Sequence, residues 1–156
     1  MNNEEYSHIL QRMMSLCSKN EKCAYDIEQK LRKNNLPDSD IEKIIDELQE
    51  SDFINHPRYV EAFVNDKLRF NHWGKRKISY ALKAKNIEEE IINQKLKEID
   101  PALYEEILNE ELDKKINSMR KGSDSQSKDK IVRYLLQKGF EYGKIFDIIE
   151  KRTNIE

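Results

Sequence analysis

One apolar spacing occurs three times in this chain of 156 residues. In each copy three apolar residues stand four and then five positions apart, and the copies follow one another at intervals of about 50 residues. Self-similarity at such a period is typical of proteins built from stacked helical units. The nine residues are Ile27, Leu31 and Leu36, then Ile78, Leu82 and Ile87, then Ile131, Leu135 and Phe140.

Each copy predicts a short helix, a tight turn and a second helix with a narrow apolar stripe. The turns fall at 34–37, 85–87 and 138–140, where Asn and Gly suit the left-handed backbone of a helix end. A longer helix precedes each pair, at about 6–17, 57–70 and 101–119, and Pro57 and Pro101 suit a first helical turn. The segment 121–127, with one Gly and three Ser, predicts the clearest loop.

These elements predict an all-α fold of three tandem three-helix repeats, at 1–52, 53–100 and 101–156. Hydrophobic residues make up 37% of the chain and charged residues another 37%, against about 45–50% and about 25% in typical globular proteins. Such a composition favours an elongated, curved body over one large round core. Four Gly and three Pro leave little turn material for a β fold.

No apolar run approaches the roughly 20 residues of a membrane span, and the first residues lack a signal-peptide pattern. We therefore expect a cytoplasmic protein that does not bind membranes. Cys17 and Cys23, with three scattered histidines, form neither a disulfide framework nor a zinc-binding spacing. We expect packed thiols, no metal and no cofactor. Phosphate-binding loops and nucleophile–base motifs are also missing, which disfavours an enzyme.

Charge is strongly segregated although the formal net charge is only -2. Residues 67–86, here called the basic band, contain seven cations and no acid. Acid-rich segments lie on either side, at 38–52 and 88–113. This arrangement indicates a polar partner bound on one face, and it does not indicate general affinity for nucleic acids.

Within the basic band, two aromatic residues interleave with the cations and offer stacking or pocket-filling contacts. Phe70 lies two helical turns from Phe63, so it is expected to pack inward. Trp73 is the better candidate for an exposed contact, with ordinary packing as the open alternative. A second, weaker basic group consists of Lys128, Lys130, Arg133 and Lys138. The alternative interpretation of both basic groups is an ordinary solvated surface without a binding role.

Three blocks of the chain, in order, resemble the RecX regulatory-protein family. They are 17–31, the central pieces at 53–54, 58–59, 62–63, 67, 74–78 and 82–87, and the closing block 130–140. Three departures occur within the resemblance. Lys75 stands where the family usually has Pro, residues 55–57 replace an acidic pair, and Asn86 replaces a turn Gly.

The resemblance implies a small all-helical protein without a catalytic centre that modulates the bacterial recombinase RecA in homologous recombination, DNA repair and the SOS response. Such proteins bind in the groove of the RecA–DNA filament, bridge protomers, reduce ATP hydrolysis and strand exchange, and favour filament loss. The expected partners are the RecA filament and DNA within it, bound by a monomer. The expected partner-binding residues are Lys67, Arg69, Trp73, Lys75, Arg76, Lys77, Lys83, Lys85, Lys130 and Arg133.

Two other classes of function stay open at this point. One is a helical nucleic-acid-binding module that acts on DNA directly, since helix–turn–helix pairs occur in DNA readers. A dedicated DNA binder more often has a basic total charge, and this chain is slightly acidic. The other is a structural adaptor for a different helical partner.

Overall fold

The computed structural model describes residues 1–119 and 125–155, with side chains described for 1–119 and 127–153. The described residues form nine helices and no strand, which confirms the all-α prediction. The helices are α1 (Asn3–Lys19), α2 (Ala24–Lys33), α3 (Asp38–Glu50), α4 (His56–Arg69), α5 (Lys75–Lys83), α6 (Glu89–Lys97), α7 (Pro101–Ser118), α8 (Ser125–Gln137) and α9 (Tyr142–Ile155). They group as three repeats, α1–α3, α4–α6 and α7–α9.

The predicted turns lie between the second and third helices of each repeat. Asn35, Asn86 and Gly139 occupy equivalent positions and have φ of 59°, 58° and 98°. This left-handed backbone ends a helix within one residue, and Asn and Gly adopt it at low cost. Asn86 therefore serves as well as the Gly that the family resemblance led one to expect.

The long helices begin at capping residues that the sequence supplies. The side chain of Asn2 accepts a hydrogen bond from the backbone N–H of Glu5, and that of Asn55 accepts one from Arg58. Pro57 and Pro101 lie in the first turns of α4 and α7. The predicted loop at 121–127 ends earlier than expected, because α8 begins at Ser125. Residues 121–124 lie outside the described residues.

Two hydrophobic clusters form the core. The first repeat has its own cluster, around Met13, Leu31, Ile44 and Leu48. The second and third repeats share one continuous cluster, which also takes in Cys23 from the start of α2. Helix α4 packs against α7 between these two repeats. The first repeat is therefore joined to the rest by a smaller apolar contact than the one between its neighbours.

The accessible surface of the chain is 10292 Å². A compact monomer of 18.7 kDa would expose about 8,300 Å². The excess agrees with the expected elongated body. Among the described residues, no helix combines the length and the apolar character needed to cross a membrane.

Candidate partner-binding site

The basic band runs from the end of α4, through the α4–α5 turn, to the turn that follows α5. At the end of α4 the chain reverses, because His72 has a φ of 54° and the N–H of Trp73 donates to the carbonyl of Lys67 at 3.0 Å. Phe70 is the C-cap residue of α4 and its side chain is 82% exposed. The prediction that Phe70 packs inward is therefore wrong, since the buried stripe of α4 ends at Leu68.

Helix α5 begins in direct backbone contact with the α8–α9 turn of the third repeat. The N–H of Gly74 donates to the carbonyl of Lys138 at 2.7 Å, and that of Arg76 donates to Gly139 at 3.0 Å. A Cβ atom on Gly74 would overlap the backbone of Gly139, and one on Gly139 would overlap Lys77. The positively polarised start of α5 therefore meets the carbonyl end of α8, which is a favourable pairing of helix dipoles.

A buried tyrosine completes this helix start. The backbone N–H of Lys75 donates to the hydroxyl of Tyr104 at 2.9 Å, and that hydroxyl donates in turn to the carboxylate of Glu141. Burial, followed by the bond to Glu141, raises the pKa of Tyr104 well above its usual value. A proline at position 75 could not make this bond, because it has no N–H. The departure of Lys75 from the family pattern thus adds a hydrogen bond between two repeats.

Two lysines of the basic band lie over the ring of Trp73. The ammonium groups of Lys67 and Lys77 are 4.9 Å and 4.6 Å from its centroid. The ring itself is half-buried and packs edge-on against Phe63 at 6.4 Å. Trp73 is therefore a half-buried packing residue with two cations over its ring, which agrees with the packing alternative that the sequence left open.

The remaining predicted cations divide into exposed and engaged groups. Arg69, Arg76, Lys130 and Arg133 are exposed and form no ion pair with any described residue. Lys83 pairs at 3.3 Å with Glu89, and both side chains are more than half exposed, so this ion pair contributes little to stability. Arg133 and Lys130 lie on α8, five and eight residues before Lys138, whose carbonyl accepts a hydrogen bond from Gly74 at the junction between the second and third repeats.

Lys85 has a structural partner in the first repeat. Its ammonium group lies 3.0 Å from Asp26 of α2 and donates to the hydroxyl of Tyr59 at 2.9 Å. Burial opposes the charge of Lys85, but these two hydrogen bonds outweigh it, so the pKa of the ammonium group is raised. Burial also opposes the Asp26 charge, yet the bond to Lys85 holds its carboxyl pKa below the usual value.

Lys138 occupies the equivalent position in the third repeat and again joins two repeats. Its ammonium group donates to the carbonyl of Asn71 at 2.6 Å and lies 3.2 Å from Glu111. Glu111 is only 2% exposed and also accepts a hydrogen bond from Tyr134 at 3.0 Å. Because Lys138 is committed to this cluster, the second basic group is smaller than the sequence suggested.

A groove of ≈ 620 Å³ separates the first repeat from the second. Lys67 and Lys85 line it together with Lys22 and Lys30, while Tyr59 and Phe63 supply part of its apolar wall. His56 closes one side of the junction, since its Nε2 accepts from the N–H of Ala24 at 3.2 Å and its Nδ1 lies 3.0 Å from Glu88. The groove brings lysines from two repeats together beside the carboxylates of Glu21, Asp26 and Asp66, which the linear sequence could not show.

Sequence reasoning missed Tyr80, whose side chain on α5 is 79% exposed. The buried residues of α5 are Ile78 and Leu82, and a residue midway between them points to the opposite side of a helix. Arg76 and Lys83 are one turn before and one turn after Tyr80. An aromatic residue on the polar face of an amphipathic helix is the signal that could have identified it.

Both cysteines are buried and free, and burial raises the pKa of each thiol. A raised thiol pKa leaves less of the nucleophilic thiolate at neutral pH. In the portion of the chain that the structure describes, no group of three or more His, Cys, Asp or Glu side chains could hold a metal ion.

Comparison with known proteins identifies the family. Residues 55–96 match the model of the second three-helix domain of RecX, and residues 104–149 match that of the third. "Regulatory protein RecX" of Clostridium botulinum (strain Eklund 17B / Type B) is 34% identical over 140 residues, which cover 88% of this chain and 65% of that protein. The Clostridium acetobutylicum protein of the same name is 30% identical over 152 residues, covering 95% and 70%.

Solved structures agree with the sequence relatives. A crystal structure of RecX from Lactobacillus salivarius superposes with a TM-score of 0.83 at 26% identity, covering 96% of this chain and 97% of that one. The chain spans 65% of the length of the C. botulinum relative. The matches cover two of the three repeats by family model and nearly the whole chain by structure, so the chain belongs to the RecX family.

Proposed function

We propose that this protein is a non-enzymatic regulator of RecA that binds RecA–DNA filaments, bridges neighbouring protomers in the filament groove, and inhibits ATP hydrolysis and strand exchange. We further propose that it acts as a cytoplasmic monomer, with repeats bounded at 1–52, 53–100 and 101–156. Membership of the RecX family supports the regulatory role. The two buried thiols and the lack of a recognisable catalytic motif favour binding over catalysis.

The observation that carries the proposal is the docking of the basic band at the junction of two repeats. Backbone bonds from Gly74 and Arg76 to the α8–α9 turn hold the start of α5 in place. The side chain of Arg76 projects from this fixed helix start into solvent. Cations held on rigid elements lose little conformational freedom when they bind acidic groups, so more of each contact appears as affinity.

Several weak contacts on linked repeats would act together on a polymer. Once one repeat is bound, the others meet neighbouring protomers at a high effective concentration. A body that spans two protomers resists the relative movement that ATP turnover requires. Inhibition without a catalytic group follows from this arrangement.

The proposal is tested by the DNA-dependent ATPase of RecA with the protein added at stoichiometric amounts. We expect inhibition by the wild type. The double variant Arg76→Glu with Arg133→Glu is expected to bind roughly tenfold or more weakly, because a charged hydrogen bond contributes about 1.5–3 kcal/mol. Both side chains are exposed, so the helicity of the variant measured by circular dichroism should be unchanged.

The matched control replaces Arg12 of α1 and Lys97 of α6 by Glu. Both of these cations are exposed and lie outside the basic band. The net change of charge is the same, so a loss of inhibition in both variants would mean only that total charge matters. Absence of inhibition by the wild type contradicts the proposal. Tight, salt-sensitive binding of bare duplex DNA at sub-micromolar protein would favour a direct DNA-binding function, and specific capture of another helical protein without RecA would favour an adaptor.

A further inference from the structure

The outer face of α5 presents an aromatic ring between two cations. Tyr80 is 79% exposed, and Arg76 and Lys83 lie within one turn of it on the same helix. From Arg76 to Lys83, an interval of seven positions, the helix rises about 10 Å. Together with Lys75, Ser79, Leu96 and Glu141, they line a shallow depression of ≈ 410 Å³.

The ring of Tyr80 differs from the packed aromatic rings near the basic band, and it shares its exposure with Phe70, which is 82% exposed at the end of α4. Tyr59, Phe63, Trp73 and Tyr104 each have a lysine ammonium group over the ring and a neighbouring ring as a packing partner. In the described structure Tyr80 has neither, and with 79% of the residue exposed its ring is accessible to a flat group. Its ring contributes nothing to the core of the chain.

The charge around Tyr80 is positive. Arg76 forms no ion pair with a described residue, and Lys83 forms a solvent-exposed pair with Glu89 that can exchange at little cost. The acid that lines the depression, Glu141, already accepts the hydroxyl proton of Tyr104 in a hydrogen bond. Two exposed cations thus flank an open ring, on a helix whose start is fixed by Gly139 and Tyr104.

We propose that Tyr80, Arg76 and Lys83 form a contact for single-stranded nucleic acid, in which one unpaired base stacks on Tyr80 and the two cations bind adjacent phosphates. Aromatic rings stack on any base, and cations beside them track the backbone. A duplex keeps its bases inside the stack, so it cannot use the ring in this way. The depression is shallow and Leu96 is the one aliphatic residue that lines it, so it lacks the apolar pocket of a protein-binding site. Its open ring and its cations favour a nucleic acid as the occupant.

This inference rests on the proposed function and adds to it a contact with single-stranded nucleic acid. Its test uses no RecA, so either proposal can fail without the other. Fluorescence anisotropy is measured with a labelled oligothymidylate at low salt, and in parallel with the corresponding duplex. We expect Tyr80→Leu to weaken binding of the single strand roughly tenfold, while Tyr80→Phe stays within about twofold of the wild type, because stacking needs the ring and not the hydroxyl. Duplex binding should not change.

The salt dependence of the binding affinity distinguishes the contribution of the two cations from that of the ring. Arg76→Gln combined with Lys83→Gln should lower the slope of log affinity against log salt by about 1.4, which corresponds to two phosphates of a single strand. Tyr80→Leu should weaken binding and leave that slope unchanged. Tyr142→Leu is the control. Tyr142 is also exposed, but no arginine or lysine of its helix α9 lies one turn away from it, so this variant should bind the single strand like the wild type.

Three results would overturn the inference. The first is the absence of single-strand binding by the wild type at low salt. The second is equal binding of the single strand by wild type and Tyr80→Leu. If that variant bound the strand normally and lost only its effect on RecA, the ring would contact protein and the inference would also fail. The third is an equal loss of duplex and single-strand binding in Tyr80→Leu. Because the ring is exposed, circular dichroism of the variant should match the wild type in every case.

Discussion

At the scale of single residues, the cations of this chain have two different tasks. Lys85 and Lys138 stand at equivalent positions and each joins its own repeat to a neighbouring one. The equivalent position in the first repeat is Asn34, an exposed residue without an ammonium group. Charge alone could not separate these junction lysines from exposed cations such as Arg76, because their partners lie far away in the sequence.

Replacing Lys85 by Met tests the junction role. The change keeps most of the side-chain volume but leaves Asp26 and the hydroxyl of Tyr59 without their shared partner, so we expect a loss of about 1–2 kcal/mol in the free energy of unfolding. Urea denaturation measures it. The matched control is Lys83→Met, two residues away, whose exposed pair with Glu89 should contribute at most about 0.5 kcal/mol. Equal effects of the two changes would show that Lys85 is not a junction residue.

The pH dependence of the same variant gives a second measurement. The pKa of Asp26 lies below its ordinary value of 3.8 in the folded protein, so its pairing stabilises the fold above that pH and is lost as pH falls further. The pKa of Lys85 is raised above its ordinary 10.5, so its contribution is complete below that pH and is lost at higher pH. The stability difference between wild type and Lys85→Met should therefore be constant near neutral pH and shrink at both extremes. A difference that vanished near neutral pH would contradict this assignment.

At the scale of helices, the apolar stripes and the turn residues predicted most of the secondary structure. Spacing of three and four residues identifies a buried face, and Asn or Gly at 35, 86 and 139 supplies the left-handed turn. These are local signals. The contact between Gly74 and Gly139 joins distant parts of the chain, and nothing near either glycine in the sequence indicates it. The same limit applies to Phe70 and Trp73, whose burial depends on where α4 ends and what packs beside it.

Adding a methyl group at Gly74 tests this helix contact. Gly74 has a φ of −76°, which any residue adopts, so Gly74→Ala introduces crowding against Gly139 without backbone strain. We expect a loss of about 1–3 kcal/mol in the free energy of unfolding, as in other overpacked sites, measured by urea denaturation. Gly143→Ala is the control, because its Cβ would meet nothing and Ala favours a helix by up to about 1 kcal/mol. Wild-type stability in Gly74→Ala would show that the two segments are not in close contact.

At the scale of the whole molecule, the repeats are unequal in how they are joined. The second and third share one core, while the first has a separate cluster and meets its neighbour through Cys23, Tyr25 and a set of polar contacts. Those contacts are the pairs of Lys85 with Asp26, Arg58 with Glu21, and His56 with Ala24. Exposed or half-exposed polar pairs contribute less than a continuous apolar core. Under the proposed function, such a joint would let the first repeat adjust to a filament while the other two repeats keep their shared core.

Hydrogen exchange measured by mass spectrometry tests this division. Amides in the first repeat, such as those of Leu31 and Ile44, should exchange through an opening of low free energy. That free energy should be at least about 1 kcal/mol lower than the free energy of the opening that exposes Leu82 and Leu135. Lys85→Met should speed exchange in α1–α3 and leave α7–α9 unchanged, whereas Gly74→Ala should speed it in the second and third repeats. Exchange at one common rate across the three repeats, with both variants affecting all of them, would mean that the chain opens as a single cooperative unit. The core that the second and third repeats share would then extend its cooperativity to the first repeat through Cys23.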